Sequence, residues 1–177
     1  FADDLASMEV LVATLEQRLA NECADAGTWL GEVLGSYQEL LDTTETLFAY
    51  ASALLTVDTN DAKAMRALNK VEDASLAVKG VHVKLLNALA RRQEAIRPAL
   101  QGDGALSRYR FVIEELLQEQ AHTMTEAEEA LAADLNRSGA DAWGRLQEAV
   151  SSNADYLWDE ATGEHKTVIQ LRALAFE

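Results

Sequence analysis

Proline and cysteine are nearly absent: the 177 residues contain one of each. A lone thiol, Cys23, excludes an internal disulfide and a cysteine-based zinc site. It points to a chain that is intracellular, or at least independent of disulfides. A lone proline and 9 glycines leave few places where a helix must stop. Basic residues are scarce, 15 Lys and Arg against 30 Asp and Glu, for a formal net charge of −15. Such a chain is repelled by phosphate backbones and anionic bilayers, so neither nucleic acid nor a membrane is an expected partner. No apolar run reaches bilayer-spanning length, and no basic-then-apolar signal segment opens the chain. A Gly-rich phosphate loop and a His-Glu-x-x-His zinc helix are also missing.

What remains favours helix nearly throughout. Hydrophobic residues make up 49% of the chain, with Ala, Leu and Glu abundant, so an ordered core is expected. Leu5, Met8, Val12, Leu15 and Leu19 recur at spacings of three and four, which predicts a first helix over Asp3–Asn21. Ala24–Thr28 reads as a connector broken by Gly27. A second helix is expected over Trp29–Leu55, with Leu30, Leu34, Tyr37, Leu41, Thr44, Phe48, Ala51 and Leu55 on one face. Gly31 and Gly35 either weaken its first turns or admit a close neighbour.

The run Val57–Asp61 supplies turn and cap residues before a third helix over Asp61–Ile96. Ala64, Leu68, Val71, Ser75, Val78, His82, Leu85 and Leu89 line its inner side, and Gly80 marks a bend or a tight contact. Two long helices joined by a short polar turn pack antiparallel. Arg97-Pro98 is expected to end the third helix, because the residue before proline avoids helical geometry. After a Gly102-Asp103-Gly104 loop come shorter helices over Leu106–Gln120, Thr125–Arg137 and Ala140–Val150. Thr125-x-x-Glu128 has capping-box spacing. A small hairpin suits Asn153–Val168, and Thr167 caps a last helix to Phe176. The expected class is therefore all-α: long antiparallel helices over 1–97, shorter helices over 105–177, and one β-hairpin near Tyr156–Val168.

Few residues carry a chemical signal. Glu119-x-x-His122 places two metal-ligand types on one helix face, as in di-iron bundles. The second Glu-x-x-His such a site needs is missing: His165 directly follows Glu164, and Lys79 stands three residues before His82. His122 then reads as a helix-ending residue that hydrogen-bonds the last carbonyls. His82, on an apolar face, reads as a satisfied boundary histidine. Cys23 lies between Glu22 and Asp25, and acidic neighbours oppose an activated thiolate. Glu114-Glu115 and Glu128-Glu129 read as solvated faces, and Trp29, Trp143 and Trp158 as core anchors. From the residues alone, the chain is an acidic helical domain with no catalytic, cofactor-binding or metal-binding residue to name.

One stretch is more specific. From Tyr109 to Leu146, Tyr109 and Phe111 open an amphipathic helix, and His122, Met124, Thr125, Glu128 and Glu129 follow. Then come a Gly139 break, Ala142-Trp143 and Leu146. This order resembles the N-terminal region of oligoendopeptidase F-type zinc peptidases, relatives of thimet oligopeptidase. Gly163, Thr167 and Leu171 are similar to that family's short hairpin and following helix, and the Tyr50–Asp61 stretch also fits. The resemblance implies a helical N-terminal domain that forms one wall of an oligopeptide channel.

In that family the zinc is held by His-Glu-x-x-His and a later glutamate, none of which is in this chain. The resemblance therefore implies a non-catalytic piece whose zinc and catalytic domain lie downstream. A first residue Phe1 and an uncapped last helix agree with an excised piece. Its expected partners are the downstream catalytic domain and, in the parent enzyme, oligopeptides. Its expected compartment is the cytoplasm, and an open apolar patch could drive self-association. A stand-alone helical scaffold is the alternative, and a ferritin-like oxidase a third reading.

Overall fold

The computed structural model describes residues 1–21, 25–58, 61–102 and 104–175. Cys23, the centre of the expected Val57–Asp61 turn, Asp103 and Phe176, the expected end of the last helix, lie outside them. The chain divides into two compact units, Phe1–Ala133 and Asp134–Glu177. The expected class holds: long helices, then shorter ones, then one antiparallel hairpin.

The first unit is built on α1 (Ala2–Ala20), α2 (Ala26–Val57) and α3 (Ala62–Gln101). Polar contacts fix their directions. Arg18 at the end of α1 donates to the Glu32 carbonyl near the start of α2 (2.7 Å), so those two helices run antiparallel. Glu16 meets Lys84 (2.6 Å), and Arg92 donates to the Asn21 carbonyl (3.1 Å), so α1 ascends alongside α3. Trp29 locks this junction. It is 2% exposed, its Nε1 donates to the Arg18 carbonyl (3.0 Å), and the Arg92 guanidinium lies 4.4 Å from its ring centre. A buried indole needs such a partner for its N–H.

Several expected boundaries move. α2 starts at Ala26, inside the expected connector, because Asp25 caps it by accepting from the Thr28 N–H (2.8 Å). Gly27 therefore lies in the first helical turn. The Thr28 hydroxyl, which donates to the same carboxylate, and then the Thr28 N–H hold the Asp25 carboxyl below its ordinary range. On α2 the buried face centres on Leu40 and Leu47, with Leu41 half-buried and Phe48 47% exposed. A helix that touches both α1 and α3 buries a broad stripe, and its centre lies between the two neighbours.

α3 continues through Pro98 to Gln101, contrary to the expected stop. Proline removes one bond to the preceding turn, a cost of ~3 kcal/mol in a helix interior. Ile96 and Leu100, on either side of it, are buried, and the Gly102 N–H closes on the Pro98 carbonyl (3.2 Å). Burying two large aliphatic side chains is worth ~1.5–3 kcal/mol each, enough to carry the helix past the missing bond. Gly80 is not a tight contact, since a Cβ there would meet nothing within 4 Å.

The expected fourth helix begins as a 3₁₀ segment, Ala105–Tyr109, and becomes α4 at Arg110–Gln120. Ile113, fully buried, is its anchor in the core, with Leu116 and Leu117 packed beside it. α5 (Glu126–Ser138) opens on the predicted capping box. Thr125 Oγ1 accepts from the Glu128 N–H (3.4 Å), and Glu128 accepts from the Thr125 N–H (3.0 Å). The Thr125 hydroxyl, which donates to the same carboxylate (2.7 Å), and then the Thr125 N–H hold the Glu128 carboxyl below its ordinary range.

The second unit takes in the end of α5 and then α6 (Ala140–Asn153), β1 (Asp155–Asp159), β2 (Glu164–Thr167) and α7 (Val168–Leu174). Gly139 separates α5 from α6. A Cβ there would lie 2.9 Å from the Leu135 carbonyl oxygen, so only glycine fits. In the hairpin Tyr156 pairs with Lys166 and Leu157 with His165, and Gly163 turns the chain at φ +69°. Thr167 and Gln170 form a capping box at α7, with Thr167 as the expected cap. No described residue from Asp134 onward is buried. Trp143 and Trp158 are 71% and 55% exposed, so of the three expected core anchors Trp29 alone is one. Short helices and a two-stranded hairpin have too little inner surface to enclose an indole.

Candidate functional site

A polar constellation in the first unit joins α2, α3 and α4. Tyr37 lies on the inner stripe of α2 and His82 on the inner stripe of α3. The antiparallel packing of these helices brings the two rings to 5.8 Å, stacked at 23°. Tyr37 Oη lies 2.7 Å from His82 Nδ1, and His82 Nε2 lies 3.2 Å from Glu119 Oε1 on α4. In the neutral ring these bonds select the tautomer with the proton on Nε2. Tyr37 then donates to Nδ1, and Nε2–H donates to the carboxylate. One turn further along, Asn87 Oδ1 accepts from Gln120 Nε2 (3.3 Å) and Asn87 Nδ2 donates to Glu126 Oε1 (3.2 Å).

The chemistry of the row is that of a clasp. Burial first, and the Glu119 charge second, push the Tyr37 phenol up to about 12. A phenol held that firmly protonated is neither a nucleophile nor a base at neutral pH. It serves as a fixed donor.

Glu119 and His122 do not come together as a metal pair. The Glu119 carboxylate points to His82, while His122 is exposed and its backbone N–H bonds to the Glu119 carbonyl (2.9 Å). Among the described residues no three His, Cys, Asp or Glu side chains are grouped to hold a metal ion. His82 is the satisfied boundary histidine its position predicts, with both ring nitrogens bonded. Glu114 and Glu115 are exposed, as is Glu128, while Glu129 is half-buried and accepts from the Met124 N–H (3.0 Å). Sequence reasoning missed the Tyr37–His82 pair. Its signal was a polar ring on each of two apolar stripes that must face each other.

The second unit presents a different surface. Leu135, Trp143, Leu146, Val150, Trp158 and Ile169 are each more than half exposed. These large apolar side chains are in contact with water.

Residues 89–156 match the oligopeptidase F family model. This model describes the N-terminal domain family of M3 peptidases, a family of zinc peptidases. The match spans the end of α3, the segment carrying Ile113 and Glu119, the Thr125 capping box, the Gly139 break and the first residues of β1. It thus contains the Tyr109–Leu146 stretch on which the resemblance rests. No curated protein and no solved structure matches the chain. No helix among the described residues is long and apolar enough to cross a membrane.

Proposed function

We propose that this chain is the non-catalytic N-terminal region of an oligopeptidase F-like zinc peptidase. On this reading it forms part of the wall of an oligopeptide channel. The zinc, its histidines and the general base belong to a catalytic region outside these residues. The observation that carries the reading is the oligopeptidase F match over 89–156. Support comes from the second unit, whose large side chains stand in water where a covering domain would take them up. The acidity of the chain suits a cytoplasmic enzyme part that binds neither nucleic acid nor lipid.

Two measurements test this. First, the coding sequence after Glu177 is read for a His-Glu-x-x-His helix. A stop codon directly behind Glu177 would leave the stand-alone scaffold as the better reading. Second, the purified chain is incubated with quenched fluorescent oligopeptides, zinc and, in parallel, a chelator. Inert behaviour is expected throughout. Zinc-dependent cleavage that the chelator abolishes would overturn the non-catalytic assignment.

A further inference from the structure

Among the described residues, β1 and β2 form a two-stranded sheet, and no third strand pairs with either. β2 runs straight into α7, which packs against it, while the outer edge of β1 carries no strand. Alternate residues of such an edge aim both N–H and C=O away from the neighbouring strand, and an extended chain complements that row. The register shift between Leu157 and Asp159 bends the far end and leaves Asp155–Leu157 as the regular run. β1 contains neither Lys nor Pro, two residues that guard open edges. Tyr156, Leu157 and Trp158 along it are each more than half exposed.

The charge around this edge is one-sided. From Asp155 to Thr167 stand Asp155, Asp159, Glu160 and Glu164 against Lys166. Lys166 is already committed, with its Nζ 2.5 Å from Glu164 Oε1 and 5.7 Å from the Trp158 ring centre. Asp155 meets His165 (3.1 Å), and both remain more than half exposed. Carboxylates at the two ends of a strand have a plain structural reason, since they deter edge-to-edge association. Whichever way two copies of β1 pair, an acidic end meets an acidic end. The same carboxylates attract Lys and Arg, and the exposed Tyr156 and Trp158 rings offer faces for a guanidinium.

We infer that the free edge of β1 takes up an extended cationic peptide as a third strand. The backbone ladder supplies the affinity, and the carboxylates and rings select the charge. The inference stands apart from the oligopeptidase reading: all but the first two residues of the hairpin lie beyond the matched segment, and no catalytic region is required.

The test titrates three capped pentapeptides into the full chain at low salt and follows backbone NMR shifts. The first is Arg-Thr-Val-Thr-Arg. The second has Glu in place of both Arg, and the third is the cationic peptide N-methylated at every residue. The cationic peptide should saturate with a dissociation constant on the order of 1 mM, with shifts and intermolecular contacts at Asp155–Leu157. The N-methylated form keeps the charge but loses every donor, and should bind about tenfold more weakly. The acidic peptide should not saturate. Leu157→Lys, at an exposed position, should weaken the cationic peptide about fivefold. Equal binding of the N-methylated or the acidic peptide would overturn the inference. So would an absence of saturation by the cationic peptide, or β1 shifts on simple concentration of the protein, which would assign the edge to a second copy. The comparison of peptides needs no variant, so a misfolded mutant does not remove the test.

Discussion

Removing the Tyr37 hydroxyl should destabilise the first unit more than removing the Glu119 charge. In Tyr37→Phe the ring and its stacking on His82 survive, and the 2.7 Å bond to Nδ1 is lost. A net intramolecular bond of this kind is worth ~0.5–1.5 kcal/mol, and a buried acceptor left unpaired costs ~1–3 kcal/mol. The His82 side chain is 25% exposed, so water can reach the vacated acceptor and the loss falls near ~1 kcal/mol. Glu119 is 53% exposed, and an exposed pair contributes ~0.2–1 kcal/mol, so Glu119→Gln should cost about half as much. The two bonds share one imidazole and polarise each other. The double variant should therefore differ from the sum of the singles by a few tenths of a kcal/mol, about 0.3. Urea unfolding followed by Trp29 fluorescence, in a Trp143→Phe/Trp158→Phe background, confines the readout to the first unit. A Glu119→Gln loss larger than that of Tyr37→Phe would refute the claim that the inner bond carries the clasp. So would a Tyr37→Phe effect below about 0.2 kcal/mol.

Four further outcomes follow from the same structure. Ile113→Ala should cost ~2–5 kcal/mol and raise hydrogen exchange across Arg110–Gln120, because this fully buried side chain anchors α4; protection unchanged from wild type would place the anchor elsewhere. The Tyr37 phenol is raised to about 12 in the fold, so its protonated form is favoured there. Its stabilising contribution is complete below pH ~10, the unfolded value, and is lost as pH climbs through the folded one. Absorbance titration of phenolate should show a late step that disappears in Tyr37→Phe. Pro98→Ala restores an N–H to α3 and should raise the first unit's stability by ~1–2 kcal/mol, the interior cost of proline reduced by the chain entropy that proline removes from the unfolded state; a destabilised variant would show that Pro98 is not a local defect. Gly163→Ala forces a Cβ onto φ +69° and should cost ~1–2 kcal/mol, read as fading of the cross-strand Tyr156–Lys166 contacts by NMR.

Legibility in the sequence followed whether a signal was local or depended on what an element would touch. Caps are local. Thr125, Glu128 and Thr167 are three or fewer residues from the N–H groups they serve, and each was placed from spacing alone. The hairpin was equally legible, since its turn needs one residue at positive φ and Gly163 stands there. Pro98 misled because a proline's local cost can be outweighed by partners elsewhere in the chain, here the burial of Ile96 and Leu100. Phe48 misled for a related reason: periodicity gives a stripe, and its width depends on how many neighbours the helix meets. Trp143 and Trp158 are the most instructive misses. A large aromatic at an element boundary is a core residue only if the elements around it enclose enough volume, and a unit of short helices and two strands does not. The polar clasp fell between these cases. Tyr37 and His82 were each visible as polar rings on apolar stripes, but nothing within either helix states that the two rings meet. That follows from the antiparallel register of α2 and α3, fixed by Trp29 and Arg92 at one end. A residue's neighbours along its own helix set its face, and the packing of a second helix sets its chemistry.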